Sequence, residues 1–203
     1  MTLRDRVESF KAAFPKTPAS WPWLVQEDRR DCLYAVWVIG NDYRGTSKFY
    51  GQYPPSYLRR VLALFPDVPE NRILHAFSGS LSSGKYERCD LIQPAEYQCR
   101  VEDLPEYFKD ERRGLGAARH YPQLVLADPP YSARDAERYG TSGVNRSKAV
   151  KALGDLVGSG GHLAWLDTCW PIHNKKQWLT VGRIFVQRST NHRARVLSLF
   201  ERQ

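Results

Sequence analysis

The run Leu124-Val-Leu-Ala-Asp-Pro-Pro-Tyr131, followed by Ser132, constrains the fold more than any other stretch of the chain. It reads as a short apolar β-strand that stops at a carboxylate, two prolines and an aromatic ring. Adjacent prolines donate no ladder hydrogen bonds and fix φ, so the strand ends there. Asp128 and Tyr131 are thereby expected at the carboxyl end of a buried strand, where open α/β sheets bind their ligands. The carbonyls of Pro129 and Pro130 have no ladder or helix to use them, and are expected to stay free as acceptors. A carboxylate, rigid carbonyls and a flat ring together suit a planar group bearing an NH2.

The surrounding pattern alternates strands and helices, which predicts an α/β fold with a mostly parallel sheet. Leu3, Val7, Phe10 and Phe14 recur at helix spacing, and Pro15 and Pro18 end that helix. Trp21-Pro-Trp23 reads as a turn, and the branched and aromatic residues from Cys32 to Ile39 as a strand. Pro54 and Pro55 suit the start of a helix with Leu58, Val61, Leu62 and Phe65 as its apolar stripe. An apolar strand then runs from Arg72 into Phe77-Ser-Gly-Ser80. Too few residues separate that loop from the next strand-like segment, 87–92, for a crossover helix, which normally takes a dozen or more. Residues 98–105 follow as a further strand-like segment, and 105–121 as a charged helix. Residues 132–143 read as a polar loop, and 145–157 as a helix with Val150, Leu153 and Val157 inward. Residues 160–167, 178–188 and 194–201 read as strands, the last two joined by a short turn.

The Asp-Pro-Pro-Tyr motif after an apolar strand resembles the catalytic motif of S-adenosylmethionine-dependent DNA amino-methyltransferases acting on adenine N6 or cytosine N4. The likeness covers roughly Phe49 to Arg202 and is nearest to the small enzymes of phages and prophages. It implies a Rossmann-like class I methyltransferase fold closed by a reversed hairpin, with residues 46–203 as the catalytic domain and 1–45 as an embellishment packed on it. It implies that Asp128, Pro129, Pro130 and Tyr131 form the catalytic loop, with Asp128 also near the cofactor. Phe77, Ser78, Gly79 and Ser80 match the family's cofactor loop, where His75 stands in place of an acid and Leu81 in place of a second glycine. Tyr50, Tyr53 and Pro54 occupy the place of the turn that holds the methionine end of S-adenosylmethionine. Asp90 would bind the ribose hydroxyls and Asp103 the adenine amine, with Glu102 competing for the second role.

The chain's 203 residues suffice for one substantial core, and 42% hydrophobic with 26% charged residues describe a globular rather than a disordered chain. No run of about 18 apolar residues suggests a membrane span, and the first residues lack the apolar core of a signal peptide. Cys32, Cys89, Cys99 and Cys169 show no metal-ligand spacing and read as reduced thiols of a cytoplasmic protein. Residues 171–203 carry seven basic residues against one acid, so they hold +6 of the formal +8 charge. Basic residues gathered in one part of the chain fit a phosphate backbone. Ser132, Arg134, Lys175, Lys176, Asn191, His192, Arg193 and Arg195 are the expected nucleic-acid contacts. DNA is the expected partner, with RNA as the alternative. No inserted target-recognition domain is visible, so specificity would be relaxed, or supplied by a homodimer or a partner subunit. His75 and Leu81 leave a second reading open, a nucleic-acid-binding protein on the same scaffold that no longer uses the cofactor.

Overall fold

The computed structural model describes residues 1–40, 53, 56–109, 121–138, 140, 141, 143–189 and 194–203. Its strands are β1 (Trp23–Glu27), β2 (Arg30–Ile39), β3 (Ile73–Ala76), β4 (Glu87–Asp90), β5 (Tyr97–Gln98), β6 (Leu124–Ala127), β7 (His162–Asp167), β8 (Trp178–Arg188) and β9 (Ala194–Arg202). They form one sheet in the order β1-β2-β8-β9-β7-β6-β3-β4-β5. The block β5-β4-β3-β6-β7 is parallel throughout. β9 runs antiparallel to both β7 and β8, so the chain closes on a reversed hairpin. β2 extends the sheet by pairing parallel to β8, and β1 pairs antiparallel to β2. The architecture is α/β with a mixed, mostly parallel sheet.

Each face has its own core. On one, Leu33, Ala35, Trp37, Leu126 and Ile184 pack under α1 (Leu3–Ala13) and α2 (Tyr57–Leu64). On the other, Val125, Leu163 and Trp165 pack against Val150 and Leu153 of α5 (Arg146–Leu156), beside the short α3 (Leu104–Lys109). A reciprocal capping box between Thr2 and Asp5 starts α1, and Phe10 stacks on Trp37 with centroids 5.5 Å apart. In α2 the inward stripe is Tyr57, Val61 and Leu64, while Leu62, expected inside, is 36% exposed.

Three expectations about local structure are corrected. The strand expected over 98–105 shrinks to Tyr97–Gln98, followed by a 3-10 turn at Val101–Asp103 and by α3 from Leu104. Trp23 belongs to a strand, because Asp28 and Arg29 adopt φ of 46° and 65° and close a two-residue hairpin between β1 and β2. Within the expected loop 132–143, Ala133–Arg138 forms α4, whose first turn is closed by reciprocal Ser132–Asp135 hydrogen bonds of 2.8 and 3.1 Å.

Three parallel connections among the described residues lack helices, the shortest being residues 91–96 between β4 and β5. Residues 77–86 join β3 to β4 as a loop, and Tyr86 folds back so that its ring centroid lies 4.6 Å from that of His75. Residues 168–177 join β7 to β8 without a helix, so Val36, Val38 and Phe185 stay exposed on a bare strip of sheet with Trp23 and Val25. No helix among the described residues is long and apolar enough to cross a membrane.

Candidate functional site at the carboxyl edge of the sheet

β3, β6 and β7 lie in register, with Ala76 beside Ala127 and Ala127 beside Trp165. Phe77 and Asp128 therefore leave adjacent parallel strands together, at the edge where ligands of open α/β sheets bind. Asp128 is half-buried and accepts a hydrogen bond from the Tyr131 hydroxyl. Burial pushes its carboxyl up to about 6, against the opposing pull of the Arg195 charge and the Tyr131 hydrogen bond. Burial and the neighbouring Asp128 charge hold the Tyr131 phenol well above its ordinary range, so it stays protonated as a donor.

Arg146, the first residue of α5, grips the loop from the α5 side. Its guanidinium binds both oxygens of Asp167, at 2.6 and 3.3 Å, and donates to the carbonyls of Pro130 at 3.3 Å and Tyr131 at 3.1 Å. Asp167 is fully buried and also accepts from Trp165 Nε1 at 3.2 Å and from the Thr168 amide at 2.7 Å. The expectation of two free proline carbonyls is thus half wrong. Asn145 caps α5 and turns the guanidinium-bearing residue toward the Pro130 carbonyl, and only Pro129 keeps a carbonyl without a partner among the described residues.

Aromatic rings and a cation line the α2 side. The Arg195 Cζ lies 4.4 Å from the Tyr131 ring centroid, and Tyr57 stacks on Tyr53 at 5.5 Å. The Tyr53 hydroxyl donates to the Leu126 carbonyl at 3.3 Å, so it accepts from His75 Nδ1 at 3.2 Å, which fixes the tautomer. Burial, and secondarily the Arg88 charge, pull His75 down to about 4. His162, buried between Phe65 and Glu201, is likewise near 4, through burial and the Arg6 charge.

Both imidazoles therefore make stability pH-dependent. A histidine whose folded pKa lies below its unfolded value contributes stability above about 6.5 and loses it as pH falls toward 4. The loss is roughly 2–3 kcal/mol per residue, and the raised Asp128 carboxyl offsets part of it. Denaturant melts of a His75→Gln, His162→Gln double variant should show a flatter profile between pH 6.5 and 4 than the wild type; identical slopes would contradict the assignment.

The Phe77 to Ser80 turn is tight, with Phe77 at φ 59° and Gly79 at φ 56°. The Gly79 amide donates to Asp90 Oδ2 at 2.8 Å, and Asp90 Oδ1 accepts from the amides of Ile92 and Gln93 at 2.9 and 2.8 Å. Asp90 thus holds the loop to the end of β4. Asp103 is exposed at the end of a 3-10 turn, while its neighbour Glu102 accepts from the Asn145 amide at 3.2 Å.

Other expected contacts are dispersed. Ser132 caps α4, Arg134 is exposed on the same helix, and Lys175 and Lys176 are exposed just before β8. Those lysines stand at the far end of an eleven-residue strand from Arg188, about 33 Å away at ordinary strand rise. Arg195, expected as a surface phosphate contact, is buried against Tyr131. Tyr50, Pro54, Asn191, His192 and Arg193 lie outside the described residues.

Tyr57, Arg146 and Asp167 escaped the sequence reading, and Arg188 entered it only as one of the seven basic residues of 171–203. Of the first three, Asp167 alone carried a signal, as an acid ending an apolar strand. Tyr57 Oη, Ser78 Oγ, Ser80 Oγ and the Nε atoms of Arg188 and Arg195 are all buried without a hydrogen bond among the described residues. Buried polar groups are nearly always satisfied, so orphans gathered along one sheet edge mark a place for a ligand. The chain matches no family model and none of the curated proteins.

Proposed function

We propose that the protein transfers a methyl group from S-adenosylmethionine to the exocyclic amine of a nucleobase in DNA, adenine N6 ahead of cytosine N4. The placement of Asp128 carries this reading. The motif that resembles the amino-methyltransferase loop sits at the carboxyl end of β6, directly beside the Phe77 to Ser80 turn at the end of β3. A parallel block closed by a reversed hairpin accords with that resemblance.

The residues present suit the cofactor. Ser78 and Ser80 offer buried hydroxyls without partners, in a turn whose left-handed backbone keeps side chains out of the way. When bound, S-adenosylmethionine supplies an electrophilic methyl group. Asp128 and the Pro129 carbonyl would accept hydrogens from the amine, aiming its lone pair and stabilising the positive charge that develops on nitrogen. Asp128 would also take up the proton that the amine gives up on methylation. A flipped base would regain roughly 1–3 kcal/mol by stacking on Tyr131, against an unstacking cost of about a few kcal/mol.

One observation favours the second reading, a nucleic-acid-binding protein without transfer. His75 is neutral and already engaged by Tyr53, where the resembled family has an acid. Calorimetry with S-adenosylmethionine and its demethylated product separates the two. Binding at or below millimolar cofactor is expected, together with labelled methyl transfer to DNA that exceeds transfer to RNA and falls in Tyr131→Ala. Silence in the calorimeter at millimolar cofactor would remove the enzyme reading.

A further inference from the structure

The end of the β8–β9 hairpin at which β8 finishes and β9 begins stands at the same edge as Asp128. Arg188 is the last residue of β8 and Arg195 the second of β9, with Gln187 paired to Ala194 between them. The Nε of each guanidinium is buried without a hydrogen bond, and neither forms an ion pair among the described residues. Arg195 is 9% exposed and lies over Tyr131. Both cations act on the Asp128 carboxyl and lower its pKa, which places them in one electrostatic neighbourhood. The Tyr57 hydroxyl, also feeling Arg195, is a third buried donor without an acceptor.

Buried cations without a counter-charge are costly and are ordinarily paired. Asp128 accepts from the Tyr131 hydroxyl, and among the described residues no arginine reaches ion-pair distance of it. Beyond the Tyr131 ring and the longer-range pull of Asp128, each guanidinium keeps a donor without a partner among the described residues, and guanidinium forks fit an oxyanion two bonds at a time. Location narrows which oxyanion. β9 is separated from the Phe77 to Ser80 turn at the end of β3 by β7 and β6, and it flanks Tyr131, the ring assigned to the base.

We propose that Arg188 and Arg195 form a phosphate subsite that holds the nucleotide whose base enters the Tyr131 pocket. The identity of that base rests on the methyl-transfer reading, but the subsite itself can be tested without cofactor. The measurement is anisotropy of a labelled single-stranded DNA dodecamer, compared with its uncharged methylphosphonate counterpart, across salt concentrations.

Arg188→Gln and Arg195→Gln should each weaken phosphodiester binding roughly tenfold and reduce the salt slope by about 0.7. Neither change should alter methylphosphonate binding. Arg195→Lys, which keeps the charge, should recover part of the affinity, and Lys151→Gln on the exposed face of α5 should change nothing. Thermal melts should show Arg195→Gln still folded, so that its loss of binding reports on the guanidinium and not on unfolding. Wild-type affinity and slope in both glutamine variants would overturn the proposal, and so would equal wild-type binding of the charged and uncharged strands. Weakened S-adenosylmethionine binding with intact DNA binding would also overturn it, by assigning the arginines to the cofactor carboxylate. Charge-dependent DNA binding through both arginines, with no methyl transfer, would retain the subsite and reject the enzyme reading.

Discussion

Asp128→Asn is expected to lower methyl transfer by roughly 10²–10³-fold, the usual cost of losing one aligned electrostatic contact in a transition state, while making the protein more stable at pH 8. The two effects share one cause. Burial has pushed the Asp128 carboxyl up to about 6 from an ordinary 3.8, so the folded state bears the cost of an ionised carboxylate at neutral pH. For a carboxyl with a raised folded pKa, that cost is fully present above about 6. It is relieved as pH falls through 6 toward 3.8. The half-buried side chain brings the expected gain of Asp128→Asn to roughly 1–3 kcal/mol at pH 8, vanishing near pH 4. Asparagine still accepts from the Tyr131 hydroxyl, so the loop keeps its internal hydrogen bond. On the proposed mechanism, transfer by the wild type should itself decline about tenfold per unit below pH 6, as the carboxylate proposed to orient the amine becomes protonated. Denaturant melts at pH 8 and pH 4 and a rate profile from pH 5 to 8 check both halves. A variant that transfers at the wild-type rate would remove Asp128 from the chemistry. A variant less stable at pH 8 would show that the carboxylate is there for the fold.

What could be read from the chain divides along the range of the interactions. β8 and β9 were legible nearly to the residue, because branched and aromatic runs are bounded by polar turns. The same holds for α5, whose cap, Asn145, and inward stripe, Val150 and Leu153, are written locally. β1 was not legible, because its turn places Asp28 and Arg29 in left-handed backbone without the glycine or asparagine that advertises one. α4 was hidden by its shortness and charge, and only the Ser132–Asp135 spacing pointed to it. The site shows the same division. Asp128 and Tyr131 lie within one local motif, and their hydrogen bond spans three residues. The Arg146–Asp167 pair spans 21 residues, and Arg195 meets Tyr131 only because β9 inserts between β7 and β8. Those contacts are products of strand order, which no local pattern specifies.

Arg146→Ala should produce the largest loss of stability at the site, about 3 kcal/mol, or roughly 10 °C in melting temperature for a chain of this size. Asp167 is fully buried, and Arg146 is its only ion-pair partner among the described residues. Removing the guanidinium leaves a carboxylate held by Trp165 Nε1, the Thr168 amide and, at 3.4 Å, the Thr168 hydroxyl. Arg146 is itself 27% exposed, so water can replace part of the lost contact, which puts the effect at the low end for buried pairs. Arg146→Lys should recover little, because an ammonium cannot span Asp167 and the carbonyls of Pro130 and Tyr131 as a planar fork does. The double variant Arg146→Ala, Asp167→Asn separates folding from positioning. It removes the unpaired charge, so stability should recover by more than the two single effects would sum to. Transfer should not recover, since nothing then holds the loop carbonyls, and a displacement of about 1 Å costs on the order of 10²-fold in rate. The loss should appear in kcat with cofactor affinity near wild type, because Ser78 and Ser80 lie on a different strand's turn. Recovery of kcat along with stability would mean that Arg146 supports the fold and leaves the placement of Asp128 and Tyr131 to the strand itself.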